Sequence, residues 1–302
     1  MPGKKKNQQD NDKKLKGEIT NDGDAQMAKQ QTGLTRNTID KYYTKDSVVK
    51  LCIDMFQQYI QCSDNDIFIE PSAGNGAFIN HMKKLSSNCL FYDLEPDHKD
   101  VLKQDYLDFK FDSSKKKNNK IHVIGNPPFG RQSSLAIKFI KKSSEFCDTI
   151  SFILPRSFMK DSMRTRFPKN FHLLHEETLE EKSFIVNEND YNVPCIFQIW
   201  EKRYEDRFVN EKLEPQKFCF VKRNEKPDVS FRRVGINAGK LDRECENKSE
   251  QSHYFIKFSN PPSQIMYGKL GNISFECKNN TVGPKSISKQ ELIKEFNLIL
   301  SA

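Results

Sequence analysis

The stretch Gly125-Asn126-Pro127-Pro128-Phe129 combines residue types that can act on an amino group. Its two prolines fix φ and remove two backbone N–H donors, so the stretch is rigid and presents carbonyl oxygens. The Asn126 side-chain oxygen and the Pro127 carbonyl can then accept both hydrogens of one NH₂ group. Phe129 offers a face on which a planar ring can stack. We therefore predict catalytic roles for Asn126, Pro127, Pro128 and Phe129.

The chemistry that suits this stretch is alkylation of an amine on an aromatic ring. Such an amine is a poor nucleophile because its lone pair is delocalised into the ring. Two acceptors draw its hydrogens out of the ring plane and free the lone pair for an in-line attack, which depends on positioning and electrostatics. A second copy, Asn260-Pro261-Pro262-Ser263, lacks both the aromatic residue and an upstream glycine turn, so it is predicted to be an ordinary turn.

A cofactor site is predicted upstream, where the turn Ser72-Ala73-Gly74-Asn75-Gly76 follows Glu70. Gly74 and Gly76 let the backbone pass close to a ligand. Asp93 ends the next predicted strand, a position from which an acid holds ribose hydroxyls. Asp105 can accept from an adenine amino group, with Tyr106 against the ring. The chain has no GxGxxG motif here, which argues against a pyrophosphate and favours S-adenosyl-L-methionine.

The elements that must position these residues alternate between strands and helices. Strands are predicted at 67–69, 90–92, 121–124, 150–154 and 193–200, and helices at 46–60, 77–84 and 133–146. This alternation predicts an α/β fold, with a mostly parallel central sheet and helices on both faces. Glu70, Asp93 and Asn126 each follow a strand end, and ligands bind at that edge of such sheets.

The chain divides by composition into three predicted regions. Residues 1–33 form a polar, basic tail that is predicted to be disordered. The catalytic domain spans 34–203, and a small α+β accessory or target-recognition region spans 204–302. That last region has β-like segments at 218–221, 254–258 and 273–277, and a helix after Ser288 with the capping-box partner Glu291. Arg232, Arg233 and Lys240 are candidate contacts to a nucleic-acid backbone.

Composition restricts the class of protein further. The chain has 302 residues, a net charge of +8 and a pI near 8.9, which suits a polyanionic partner. No apolar run approaches the roughly 20 residues that span a bilayer, and the N-terminus lacks a secretory core. We therefore expect a soluble protein of the cytoplasm or nucleus. The eight cysteines form no metal-ligand cluster, so reduced thiols and no metal site are expected.

On these motifs the chain resembles the class I S-adenosylmethionine-dependent N6-adenine methyltransferases of the gamma type. Residues 41–44 (KYYT) resemble that family's FYT motif, residues 70–78 resemble EPSxGxGxF, and residues 126–129 resemble (D/N)PP(Y/F). The resemblance implies the Rossmann-like fold of class I methyltransferases. It also implies cofactor contacts from Thr44, Glu70, Ser72, Asp93, Asp105 and Asn126, and a second stacking face for the target adenine at Phe184.

The family acts on DNA, including in restriction–modification systems, by flipping the target base out of the stack. DNA is therefore the favoured substrate, and RNA, a protein glutamine or an inactive nucleic-acid-binding module remain alternatives. Only about a hundred residues follow the catalytic domain, so a large recognition domain does not fit. A short recognition site, a partner such as a nuclease, a homodimer or a single-stranded substrate stay open.

Overall fold

The structure, a computed structural model, describes residues 42 to 301. The predicted tail of residues 1–33 and Lys41 of the FYT-like motif lie outside the described residues. None of the helices in the described range combines the length and the apolar character that crossing a bilayer requires. The described strands are β1 (Tyr43–Thr44), β2 (Ile67–Glu70), β3 (Asn88–Asp93), β4 (Leu102–Lys103), β5 (Ile121–Gly125), β6 (Thr149–Pro155), β7 (Phe171–Thr178), β8 (Phe184–Val186), β9 (Asn189–Tyr191), β10 (Cys195–Lys202), β11 (Phe218–Val221), β12 (Val229–Arg232), β13 (Leu241–Asp242) and β14 (His253–Phe258).

Helices alternate with these strands in the first two thirds of the chain and return at its end. The described α-helices are α1 (Asp46–Tyr59), α2 (Ile79–Met82), α3 (Ser134–Ser144), α4 (Asp161–Arg164), α5 (Gln264–Gly271) and α6 (Lys289–Ser301). The predicted helices at 46–60 and 133–146 match α1 and α3 to within two residues at each end. The helix predicted at 77–84 is shorter in the structure, because the turn around Gly76 runs on as far as Phe78.

Seven strands form the central sheet, in the order β4-β3-β2-β5-β6-β10-β7. β4, β3, β2, β5 and β6 pair in parallel, and β10 runs antiparallel between β6 and β7. α1 packs its apolar residues into one face of the sheet, and α3 packs its own into the other. The predicted Rossmann-like α/β fold, with a mostly parallel central sheet covered by helices on both faces, is confirmed.

The order in which the chain adds strands reverses direction between β2 and β5, at the centre of this sheet. From β2 the chain goes outward to β3 and β4, then returns to β5 on the other side of β2. The carboxyl ends of β2, β3 and β5 therefore meet at one edge, where a crevice for a ligand forms in such folds. This edge is where Glu70, Asp93 and Asn126 follow their strands.

The C-terminal part has an antiparallel sheet of its own, in the order β11-β14-β12-β13. Phe218 and Phe231 on this sheet pack against Phe296 of α6, with ring centroids 5.5 and 6.0 Å apart. The capping box predicted at the start of α6 is confirmed: Ser288 N donates to Glu291 Oε2 at 2.6 Å, and Glu291 N donates to Ser288 Oγ at 3.2 Å.

Two predictions for this C-terminal part are corrected. Residues 273–277 form no strand, and a 3₁₀ turn begins at Glu276 instead. Residues 264–271 form a helix that the sequence pattern did not indicate, because its two glycines and mixed faces give it little periodicity. Ser263, the last residue of the second Asn-Pro-Pro copy, caps this helix by accepting from Met266 N at 3.2 Å.

Candidate active site

The carboxyl edge of β2, β3 and β5 brings five of the predicted site residues together. Ser72 Oγ donates to the Asn126 carbonyl at 2.9 Å, so the glycine turn is tied to the Asn-Pro-Pro corner. Gly74 N donates to Asp93 Oδ2 at 2.8 Å, which ties the same turn to the end of β3. A Cβ on Gly125 would lie 3.1 Å from Glu70 Cγ, so β2 and β5 approach closely here.

The glycine turn needs its glycines. Gly74 has φ +48° and Gly76 has φ +82°, a region that other residues rarely adopt. A Cβ on Gly76 would lie 2.7 Å from Ile79 Cδ1 and 2.9 Å from His98 Cγ. The turn is therefore compact, and neighbouring side chains pack closely against both glycines.

Asn126 is held in one orientation. Its Nδ2 donates to Thr44 Oγ1 at 3.2 Å and to the Tyr42 carbonyl at 3.4 Å. Two acceptors on the same side fix which end of the amide carries the nitrogen. The Oδ1 atom is buried and has no hydrogen-bond partner among residues 42–301. A buried acceptor that makes no hydrogen bond costs free energy, so this oxygen is positioned to accept from a ligand.

Glu70 provides a second unsatisfied acceptor. The residue is buried, and within the part of the chain that the structure describes its Oε2 has no hydrogen-bond partner. Burial, and then the nearby charge of Asp93, raise the pKa of the Glu70 carboxyl well above its ordinary value. Two acids at one edge, one of them buried, favour a ligand with a positive charge over a phosphate.

The FYT-like motif reaches this edge through a small sheet of its own. β1 pairs with β8 so that Thr44 lies opposite Phe184, and Lys45 N donates to the Ser183 carbonyl at 3.1 Å. Thr44 is buried and serves as the acceptor for Asn126. The segment at 42–44 thus holds the Asn-Pro-Pro corner in place even though more than eighty residues separate them.

The two predicted stacking residues differ in placement. Phe129 is half-buried and packs partly against the cores on both faces of the sheet. Phe184 is only 1% exposed and lies edge-on to Tyr42, with ring centroids 6.3 Å apart. β8 turns this ring into the core that α1 covers, and the role of Phe184 as a second stacking face for the target adenine stays a prediction.

Asp105 and Tyr106 also differ in their burial. Asp105 follows β4, is half-buried, and accepts from Leu107 N at 2.8 Å. The Tyr106 ring is buried between Phe109 and Phe139, with centroids 5.9 and 5.4 Å away, and its hydroxyl meets Ser143 Oγ at 2.9 Å. This ring belongs to the core beneath α3, and its predicted contact with a cofactor ring stays a prediction.

Two residues of the site carried no prediction. Tyr43 lies over the glycine turn, its Cε1 3.4 Å from where a Gly74 Cβ would be, and its hydroxyl donates to Asp97. Asp97 N in turn donates to the Gly74 carbonyl at 3.0 Å. The available signal was the acidic run after Asp93 together with the second aromatic residue of the Tyr42-Tyr43-Thr44 motif.

The C-terminal cations predicted to contact nucleic acid make local contacts. Arg232 Nε donates to the Val234 carbonyl at 2.8 Å, and the Arg233 guanidinium lies 5.0 Å from the Tyr254 ring centroid. For Lys240 the contact is one of the main chain, whose N–H donates to the Asn237 carbonyl at 3.1 Å. Among residues 42 to 301, no group of three or more His, Cys, Asp or Glu side chains is placed to hold a metal ion.

Comparison with known proteins gives similarities of fold at low identity. No family model matches the chain, and no curated protein matches it. Similar solved structures include a suggested RNA methyltransferase from Pyrococcus horikoshii, at 16% identity and TM-score 0.44 over 57% of this chain and 93% of that one. A Thermoplasma acidophilum protein gives 18% identity and TM-score 0.40 over 53% and 88%. The type I restriction–modification methyltransferase subunit of Streptococcus thermophilus is 14% identical, with a TM-score of 0.41. That similarity covers 53% of this chain and 45% of the subunit.

Proposed function

We propose that this protein is an S-adenosylmethionine-dependent methyltransferase that methylates the N6 amino group of adenine in DNA. The observation that carries the proposal is the Asn126 side chain. Its nitrogen donates to Thr44 and Tyr42, and its buried oxygen has no hydrogen-bond partner among the described residues. A fixed acceptor of this kind, followed by two prolines, suits an NH₂ group whose hydrogens must be held.

The residues beside Asn126 fit the cofactor. When bound, S-adenosylmethionine supplies an electrophilic methyl group on a positively charged sulfur. Glu70, whose Oε2 has no hydrogen-bond partner among residues 42–301, and Asp93 would favour the cationic cofactor electrostatically. A cofactor with a pyrophosphate would meet two acids at this edge, which repel it.

In the proposed reaction the protein acts mainly by positioning. Asn126 Oδ1 and the Pro127 carbonyl accept from the adenine N6 hydrogens, which frees the nitrogen lone pair. The half-buried Phe129 stacks on the adenine ring, as aromatic residues do for bases taken out of a duplex. No described side chain is needed as a general base before transfer, because the proton leaves only after the nitrogen has gained its methyl group.

The choice of DNA has its own support. The net charge of +8 suits a nucleic acid, and residues 126–129 resemble the motif of DNA adenine methyltransferases. The catalytic corner reads the base edge and not the sugar, so an RNA adenine would fit the same corner. Labelled cofactor with matched DNA and RNA oligonucleotides separates the two substrates, and a higher rate on RNA would refute the choice of DNA.

The test of the proposal is Asn126→Ala. Loss of one of two acceptors should slow methyl transfer by about 10²–10³, while cofactor affinity measured by calorimetry stays nearly unchanged. The second Asn-Pro-Pro copy supplies a matched control, because Asn260→Ala removes the same amide from an ordinary turn and should leave turnover intact. Near-normal turnover by Asn126→Ala, or a wild-type protein that binds no cofactor, would overturn the proposed function.

A further inference from the structure

Arg156 lies on the rim of the candidate active site. It follows directly after Pro155, the last residue of β6. β6 runs parallel to β5 with Phe152 beside Gly125, so both strands end at the same edge and Arg156 extends beyond it. Arg156 N donates to the Pro194 carbonyl at 2.9 Å, which anchors the backbone to the segment before β10. The side chain therefore starts next to the strand that presents Asn126.

The Arg156 guanidinium has no partner in the described part of the chain. Its Nε is buried without a hydrogen bond, and no hydrogen bond or ion pair joins its other nitrogens to residues 42–301. Two other half-buried arginines in the described range have partners for their terminal nitrogens: Arg164 Nη2 contacts both oxygens of Glu176 at 2.8 and 2.9 Å, although Arg164 Nε also lacks a hydrogen bond, and Arg207 donates to four backbone carbonyls. A partly buried arginine with open donors is poorly satisfied by the fold alone, so a ligand from outside is expected to fill them.

The strand order separates Arg156 from the acids of the cofactor site. Glu70 and Asp93 end β2 and β3, whereas Arg156 follows the end of β6, and β5 lies between the two groups. Adjacent strands are about 4.8 Å apart, so Asn126 has the acids on one side and the arginine on the other. A positive ligand suits the acidic side, and an anion suits the side of Arg156.

We infer that Arg156 binds a backbone phosphate of the nucleic acid beside the adenine that Asn126 holds. The inference rests on the proposed function, since it assigns the substrate side of the same site. A guanidinium presents two parallel donors that match a phosphate, and it stays charged at any working pH. Such a contact fixes the register of the strand without reading the base sequence. Arg156 is thus a substrate-positioning residue.

The test measures binding of a fluorescein-labelled DNA duplex by anisotropy over a range of salt concentrations, with the full-length protein. Arg156→Gln should weaken binding roughly tenfold and reduce the steepness of log K against log salt by about 0.9. Arg156→Lys keeps the charge, so the salt slope should return while part of the affinity stays lost. Arg203→Ala is the control: Arg203 follows β10 at the opposite edge of the sheet, and its removal should change neither quantity.

The possible results distinguish a failure of the Arg156 inference from a failure of the proposed function. An unchanged salt slope in Arg156→Gln overturns the inference, and so does a loss of cofactor affinity in calorimetry, which would make the cofactor carboxylate the ligand. If Arg156→Gln fails to fold, Arg156→Lys decides, because unchanged affinity in that variant also overturns it. Binding does not require methyl transfer. A protein that binds through Arg156 but never methylates therefore refutes only the proposed function, whereas a protein that methylates with an unchanged slope refutes only this inference.

Discussion

At the scale of one residue, the buried carboxyl of Glu70 lowers the stability of the folded protein in the absence of a ligand. Its carboxyl is buried at the end of β2, and burial followed by the charge of Asp93 raises its pKa. The folded protein therefore keeps a proton that the unfolded chain gives up at lower pH. The protonated Glu70 carboxyl therefore contributes to the stability of the folded protein at pH values below the ordinary glutamate pKa. This contribution is lost as the pH rises toward the raised pKa of the folded state. A positively charged ligand reverses the balance, because it favours the ionised form.

We predict that Glu70→Gln raises the melting temperature at about pH 8. At that pH the unfolded chain gains free energy by ionising this carboxyl, whereas burial opposes its ionisation in the folded protein. The same variant should bind S-adenosylmethionine at least about tenfold more weakly, because a charge-assisted contact is lost. Wild-type cofactor affinity should rise with pH as Glu70 ionises, and this dependence should flatten in Glu70→Gln. Thermal melts and calorimetry across pH measure all three effects.

The control for this variant is Glu181→Gln, which alters an exposed glutamate in a loop and should change none of these quantities. A Glu70→Gln protein that melts lower than wild type at high pH, or that binds the cofactor with unchanged affinity, would show that Glu70 is an ordinary structural acid.

Which residues of the site the sequence could predict depends on how local their placement is. Glu70, Asp93 and Asn126 each follow the end of a strand, so a strand prediction was enough to bring them to one edge. Tyr106 and Phe184 are large apolar rings whose direction depends on packing between elements far apart in the chain. Both rings turned into the core, which residue type and spacing do not reveal. Arg156 was missed because its significance lies in lacking a partner.

At the scale of elements, the turn between β2 and α2 is the most constrained connection in the site. Gly76→Ala should destabilise the protein by about 2–4 kcal/mol, since it forces a side chain into left-handed φ and against Ile79 and His98. Gly268→Ala is a matched change in α5, where a Cβ would meet nothing within 4 Å. It should stabilise the protein by about 0.5–1 kcal/mol. Urea unfolding followed by circular dichroism measures both, and equal shifts in the same direction would contradict the strain assigned to Gly76.

The prediction of elements succeeded where burial makes a strand uniformly apolar. β2, β5 and β6 are buried along their whole length, and their sequences indicated strands within a few residues of the observed ends. β7 was not predicted, because it is an edge strand whose residues, such as His172 and Glu176, are mixed in polarity and only half-buried. The two-residue strands β1 and β4 are too short to leave a pattern, and they exist through pairing with β8 and β3.

At the scale of the whole molecule, the described chain joins its two larger sheets through Lys160. This lysine follows the 3₁₀ turn after β6 and is 8% exposed. Its Nζ donates to the Ser286 carbonyl at 2.8 Å and lies 3.3 Å from Glu291 Oε1. Glu291 also caps α6, so one carboxylate serves both the helix and the contact. The division at residue 203 stays a proposal, and Lys160 is where it is best tested.

We predict that Lys160→Met lowers the free energy of unfolding by about 1–3 kcal/mol, because a buried carbonyl and a carboxylate lose their donor. If residues 204 to 301 fold as a separate unit, calorimetry should also resolve two transitions in the variant where the wild type shows one. Lys269→Met, which removes an exposed lysine of α5, should leave the melt unchanged. Because Glu291→Gln weakens the same contact, the double variant should lose less than the sum of the two single changes. Additive losses would mean that Lys160 and Glu291 stabilise their own elements separately and do not couple the two sheets.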